Sequence, residues 1–282
     1  MTSKRYPNPS DIPGRYPASG SRPGRYPPEA GASGRYPDPD DIPGRYPVYG
    51  EEAPAAVPPG SPIVYFDSAN INGANNVGIS DADPIGTWTN LGSLGAALNI
   101  VQALPGARPM YDANGIAELP VPSVYFDGND RLTSPPVASQ GTAIKKLFVL
   151  STSNLGTNPY YSDNQPGAAK NFGLGTTTSQ LYMVAGTPFN TTLALVAGPS
   201  YIIGNFNGAS SYAVVNGSAS GTGNPGTGGL TGTTIGAKIN ATAPMIGHIW
   251  GAVYWKIDGS EPSDAAVAAF VDAKWGATWP KT

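Results

Sequence analysis

Apolar and polar positions alternate in a pattern that divides the chain near residue 60. Beyond Pro58-Pro59-Gly60, apolar runs of strand length recur at Ile63-Val64-Tyr65-Phe66, Val124-Tyr125-Phe126, Lys146 to Leu150, Leu181 to Val184, Thr191 to Ala197, Tyr201 to Phe206, Tyr212 to Val215 and Ile249 to Ile257. Turn pairs separate them, among them Asn72-Gly73, Asp127-Gly128, Asn207-Gly208, Asn216-Gly217 and Asp258-Gly259. Such pairs accept the positive φ of a tight reversal at little steric cost. Many short strands punctuated in this way predict an all-β, two-sheet antiparallel sandwich of jelly-roll type rather than a parallel α/β sheet. One segment departs from that rhythm: Val267, Phe270, Val271 and Trp275 fall at helical spacing. Ser260-Glu261-Pro262-Ser263 supplies caps and a first-turn proline, Glu261 and Asp264 suit the positive end of the helix dipole, and Gly276 stops the segment. Its apolar stripe is expected to pack on the sandwich.

The first 60 residues carry no such pattern. Arg-Tyr-Pro stands instead at residues 5–7, 15–17, 25–27, 35–37 and 45–47, in register every ten residues. Apolar side chains here are too sparse to offset the entropy of ordering the backbone, and proline bars both helix interior and central strand. An extended arm broken by Pro-Gly turns is expected over 1–60, followed by one domain over 61–282. A decamer would span at most about 31 Å as polyproline II. Each unit offers a guanidinium fork, an aromatic plate and a stiff hinge. Arg5, Tyr6, Arg15, Tyr16, Arg25, Tyr26, Arg35, Tyr36, Arg45 and Tyr46 are therefore candidates for gripping repeated pockets on a periodic protein partner.

Composition narrows the chemistry. The 282 residues include no cysteine, which excludes disulfides, thiol catalysis and Cys-containing zinc sites, and a single histidine excludes a His-rich metal site. A formal charge of −3 argues against nucleic-acid binding, which needs clustered Lys and Arg. The opening MTSKRYPNPS lacks the apolar stretch of an export signal, and no apolar run approaches the roughly 18 residues of a membrane span. No membrane insertion is expected.

Trp88-Thr89-Asn90-Leu91-Gly92-Ser93, Arg108-Pro109-Met110-Tyr111 and Val124-Tyr125-Phe126-Asp127-Gly128-Asn129-Asp130-Arg131-Leu132 follow one another in an order that resembles the concanavalin A-like lectin/glucanase superfamily in its laminin-G-like form. Ile246-Gly247-His248-Ile249-Trp250 and the helix ending Ala273-Lys274-Trp275-Gly276 extend the resemblance to about residues 61–276. It implies a jelly roll used for sugar or protein binding, frequent in phage fibres and capsid decorations.

Residue types then test each chemistry. Glycoside hydrolysis needs two flanking carboxylates, which the superfamily's glucanases place at alternate positions of one strand. The domain has two glutamates, Glu118 and Glu261, and no strand with that alternation. Any Ser/His/acid arrangement must use His248, expected to be an ordinary strand histidine. Gly221 to Gly229 lacks the lysine of a phosphate loop. No enzymatic role and no cofactor is expected. Calcium is the one inorganic candidate: Asp127, Asn129 and Asp130 offer oxygens in one turn, with Asp81 and Asp83 nearby in sequence, although the same turn residues make good hairpin chemistry. Sugar binding would use exposed tyrosines with amides and carboxylates, and Tyr160, Tyr161, Asp163 and Asn164, with Gln165, form the best loop of that composition; tyrosine pairs in loops also pack on their own domain.

Two functions follow as expectations. The first is a virion structural protein, anchored by its arm to repeated subunits of a particle or filament and capable of homo-oligomerisation. The alternative is an extracellular or cell-surface carbohydrate-binding module on a proline-rich stalk.

Overall fold

The computed structural model describes residues 56–164, 172–177, 179–276 and 279. The ten arginines and tyrosines of the repeats, and Gln165, lie outside them. The first sheet contains β1 (Val64–Asp67), β4 (Met110–Asp112), β5 (Ser123–Asp127), β7 (Ile144–Thr152), β12 (Ser200–Phe206), β13 (Tyr212–Val215), β14 (Ser218–Ala219) and β16 (Ile246–Lys256). The second contains β2 (Thr87–Trp88), β3 (Ile100–Val101), β6 (Leu132–Thr133), β8 (Tyr160–Asp163), β9 (Phe172–Thr177), β10 (Gln180–Ala185), β11 (Pro188–Ala194) and β15 (Thr234–Ile235). Every paired strand is antiparallel, so the expected two-sheet sandwich is the observed one.

The order of the first sheet is β14-β13-β12-β7-β16-β5-β4. β1 also pairs with β16, beyond β5 and on the same side: Ile246 to Ile249 face β5 while Gly251 to Tyr254 face β1. The second sheet runs β11-β10-β9-β8-β15-β6-β3-β2. Period-two alternation sends Val64, Phe66, Phe148, Leu150, Ala252 and Tyr254 inward to meet Trp88, Tyr161, Leu174, Leu181, Met183 and Ile235 from the other sheet. Where strands reverse, the local chemistry is as the sequence suggests. Asn216 (φ 48°) and Gly217 (φ 88°) make the β13–β14 hairpin, both with the positive φ of a type I′ turn.

The helix α1 (Asp264–Trp275) covers the outer face of the first sheet, where Val267, Phe270, Val271 and Trp275 pack on Leu147, Val149, Ile203 and Val253. Ser263 is the N-cap and accepts from the Ala266 amide, while Gly276 ends the helix in the left-handed region at φ 61°. Glu261, expected at the start of the helix, instead precedes the cap and accepts the Asp258 and Gly259 amides of the preceding reversal. Pro262 likewise precedes the cap, where its carbonyl and the Asp264 carboxylate both receive Lys145 Nζ, at 2.7 and 2.9 Å. Gly251 lets the helix approach closely: a Cβ there would stand 2.8 Å from Trp275 Cζ2. Among the described residues no helix is long and apolar enough to cross a membrane.

Candidate functional site

On the outer face of the second sheet, β11 is the exposed strand, while the outward tyrosines of β8 and β10 are largely covered. The register of β8 to β11 aligns one residue from each: Tyr160 opposite Gly175, Gly175 opposite Tyr182, and Tyr182 opposite Asn190. Leu181 and Met183 point into the core, so Tyr182 between them must point out. Gly175 is the small residue of this row, and the space over it is already taken. A Cβ there would fall 2.5 Å from the Pro159 carbonyl and 3.2 Å from the Tyr182 ring. Over it the Tyr160 and Tyr182 rings meet edge to face, 5.2 Å apart at 82°. Burial above all, with hydrogen bonding to Tyr160, pushes the Tyr182 hydroxyl far above its ordinary ionisation range, so it stays protonated.

These rings floor a cavity of about 570 Å³. Its walls are amides and hydroxyls: Thr157 and Asn158 before β8, Thr177 at the end of β9, Asn190 on β11 and Thr242 in the loop before β16. Lys238, from that same loop, lines it too and holds its ammonium 4.4 Å from the centroid of the Tyr160 ring, a cation–π distance. The loop is fixed from below and within. Ile239 donates to Asp163 Oδ2 at 3.0 Å, Arg131 Nη1 donates to the Ile239 carbonyl at 2.9 Å, and Lys238 and Thr242 are joined through the backbone at 3.0 Å. Ala241 and Ala243 sit at φ 62° and 52°, left-handed conformations that cost an L-residue about 1–2 kcal/mol each.

The segment expected as a sugar loop is a strand. Tyr160, Tyr161 and Asp163 belong to strand β8, and Asn164 follows it; all four are buried. A register shift between Tyr160 and Ser162 turns Tyr161 into the core, where its hydroxyl meets Thr176 Oγ1. Asp163 clamps the Lys238 loop, and Asn164 binds Thr231 and the Gly229 carbonyl. Only Tyr160 reaches the cavity. Tyr182, Asn190 and Lys238 were not anticipated, although the in-out alternation at Leu181-Tyr182-Met183 marks Tyr182 as outward.

In the calcium candidate, the oxygens serve the hairpin. Asp127 Oδ1 accepts the Asn129 amide, Asp130 Oδ2 accepts the Asp127 amide, and Asn129 Nδ2 donates to the Gly106 carbonyl. Burial raises the Asp130 carboxyl to about 6, and the neighbouring Asp127 charge adds to that rise against the Asp127 amide.

A second cavity, about 490 Å³, lies on the first sheet between Asp81, Met110, Asp112, Tyr125 and His248. His248 Nδ1 is 2.9 Å from Ser123 Oγ and 3.5 Å from Asp112 Oδ2. A nucleophilic relay needs serine on one ring nitrogen and the acid on the other. Here both meet the same nitrogen and Ser123 is buried, so the group orients the histidine rather than activating the serine. Burial holds His248 below its usual range against the opposing pull of Asp112.

No family model and no curated protein matches the sequence. Solved structures do share the shape. Domain 4 of AbnA, a GH43 extracellular arabinanase from Geobacillus stearothermophilus in complex with arabinotriose, aligns at a TM-score of 0.51 and 12% identity, over 75% of this chain and 98% of that one. An arabinofuranosidase complexed with arabinofuranosyl-alpha-1,2-xylobiose aligns at 0.52 and 10% identity, over 77% of this chain and 60% of its own length. At such identities the likeness is one of fold. It nevertheless corrects the expectation that enzymes are excluded: the sandwich has the shape of domains from glycoside hydrolases, and the absence of an alternating acidic strand was too narrow a ground.

Proposed function

We propose that the sandwich is a carbohydrate-binding domain of concanavalin A-like type that holds an oligosaccharide on the outer face of its second sheet. The observation that carries this reading is the cavity floored by Tyr160 and Tyr182 and walled by Asn158, Asn190, Thr157, Thr177 and Thr242. Sugars offer hydroxyls that both donate and accept, and carbon–hydrogen faces that pack on aromatic rings. Amides and hydroxyls answer the first need and tyrosines the second. The shared fold with a domain of an extracellular arabinanase, solved with arabinotriose, supports the same reading and an extracellular or cell-surface location. It does not support a virion role, whose other ground, the repeat arm, lies outside the described residues.

The test is binding of the full chain to a glycan array that includes arabinan, xylan and acidic oligosaccharides, followed by calorimetry on the best ligand. Asn190→Ala, at an exposed rim position, should weaken binding roughly fivefold or more, the loss of about 1 kcal/mol for one hydrogen bond. His248→Ala should leave it unchanged. No glycan bound at millimolar concentration would refute carbohydrate binding; full affinity in Asn190→Ala with loss in His248→Ala would move the site to the other cavity.

A further inference from the structure

Lys238 is the one charged side chain among the residues lining the second-sheet cavity; the others are hydroxyl, amide, tyrosine, proline and alanine. Among the described residues, no carboxylate lies within ion-pairing distance of its ammonium, and the ion pairs formed are Lys145–Asp264, His248–Asp112 and Lys274–Asp67. Asp163, the nearest acid in the network, spends one oxygen on the Ile239 amide and the other on the Asn164 amide beneath the loop. The ammonium rests instead on the Tyr160 ring, whose face attracts a cation but leaves N–H donors unused. The Asp163 clamp and the Arg131 bond to the Ile239 carbonyl hold the loop that presents it. An anchored, unpaired cation in a cavity of neutral hydrogen-bonding groups has a specific complement: an anion attached to a hydroxyl-rich ligand. The bulk charge of −3 offers no general attraction for polyanions, so selection must be local.

We propose that Lys238 makes this a site for a carboxylate-bearing sugar, a uronic-acid unit or its like, with the carboxylate on the ammonium and the ring hydroxyls on the amide and hydroxyl wall. This rests on the carbohydrate reading above and narrows it. A charge-assisted hydrogen bond is roughly twice as strong as a neutral one, and in a partly desolvated cavity it discriminates sharply between the acid and its uncharged analogue.

The experiment uses the full chain and matched probes: oligogalacturonate, oligoglucuronate and oligomannuronate, each beside its methyl ester, which keeps the sugar and removes the charge. At least one acid should bind about tenfold or more tightly than its ester, with affinity falling as salt rises from 50 to 500 mM, concentrations chosen to span the Debye screening range. Lys238→Gln should erase the difference between acid and ester while melting at the wild-type temperature; Lys238→Arg should retain most of it. Equal binding of acids and esters, or of neutral arabinan and xylan in preference to both, with Lys238→Gln indifferent, overturns the assignment of Lys238 and leaves the carbohydrate site standing. No binding of any probe, charged or neutral, overturns both.

Discussion

Lys146 sits in the middle of β7 with Phe148 and Leu150, on the face that points between the sheets, and is fully buried. Its ammonium donates to Ser162 Oγ at 3.1 Å and lies 4.7 Å from the Tyr254 ring centroid. Burial lowers its pKa from 10.5 to about 7, with Asp163 pulling the other way. The sign of the linkage is that of a depressed lysine. Between pH 7 and 10.5 the unfolded chain binds the proton and the native protein does not, so the contribution of Lys146 to stability rises with pH across that window and is lowest, and flat, below it. The whole cost of keeping the charge inside is on the order of 5 kcal/mol, at 1.36 kcal/mol for each tenfold change in proton affinity. Restricted to pH 7–9, the gain is about 2 kcal/mol. Above that range the tyrosines reverse the trend: burial pushes Tyr161 and Tyr254 upward, so their unfolded forms ionise first. His248, held below its usual range, adds a rise of its own that ends near 6.5, so the comparison starts at pH 7. Urea unfolding of the wild type at pH 7, 8 and 9 should show this rise, and Lys146→Met, which keeps the length of the side chain and removes the charge, should abolish it and be the more stable protein at pH 7. Identical slopes in wild type and variant would refute the argument, because the proton linkage would then belong to another group.

Two more outcomes follow from the packing. Gly251→Ala should cost about 1–3 kcal/mol, since the new methyl meets the Trp275 indole and the helix must shift; an unchanged calorimetric melting temperature would show that the helix is not tightly seated there. For Asp130, raised to about 6, the native carboxyl holds its proton while the unfolded one has lost it, so stability falls as pH rises from about 4 to 6. Asp130→Asn should flatten that fall and melt higher than wild type above pH 6; a variant that melts lower at every pH would mean the carboxylate is stabilised by something bound to it.

Most of the fold was legible because its long strands obey period two. All eight apolar runs are strands, and Tyr212 to Val215 is bounded as expected. What escaped is short or lacks contrast. β2, β3, β6, β14 and β15 are two residues each, too brief for alternation, and β9 reads Phe-Gly-Leu-Gly-Thr-Thr, where glycine hides the pattern. Tyr160-Tyr161-Ser162-Asp163 looked like a loop because a bulge places Tyr161 and Ser162 both toward the interior, which no alternating reading allows. The candidate site was legible in one residue of its floor. Tyr160, Tyr182, Asn190 and Lys238 come from segments up to 78 positions apart, and only the register of four strands and one loop brings them together. Lys146 shows the same limit: its period fits the core, its chemistry does not, and the sequence offers no sign of which prevails.

The glycine between the two tyrosines has a consequence for how such a surface can change. Because the floor is part of a hydrogen-bonded ladder, a guest molecule entering the cavity asks no strand backbone to order itself, and little of its binding free energy is lost to rearrangement. Part of the rim is carried on connections outside the ladder, at Thr157, Asn158, Lys238 and Thr242. Substitutions there can retune which guest is preferred while the strands beneath stay as they are, so selectivity and foldability are written in separate parts of the chain.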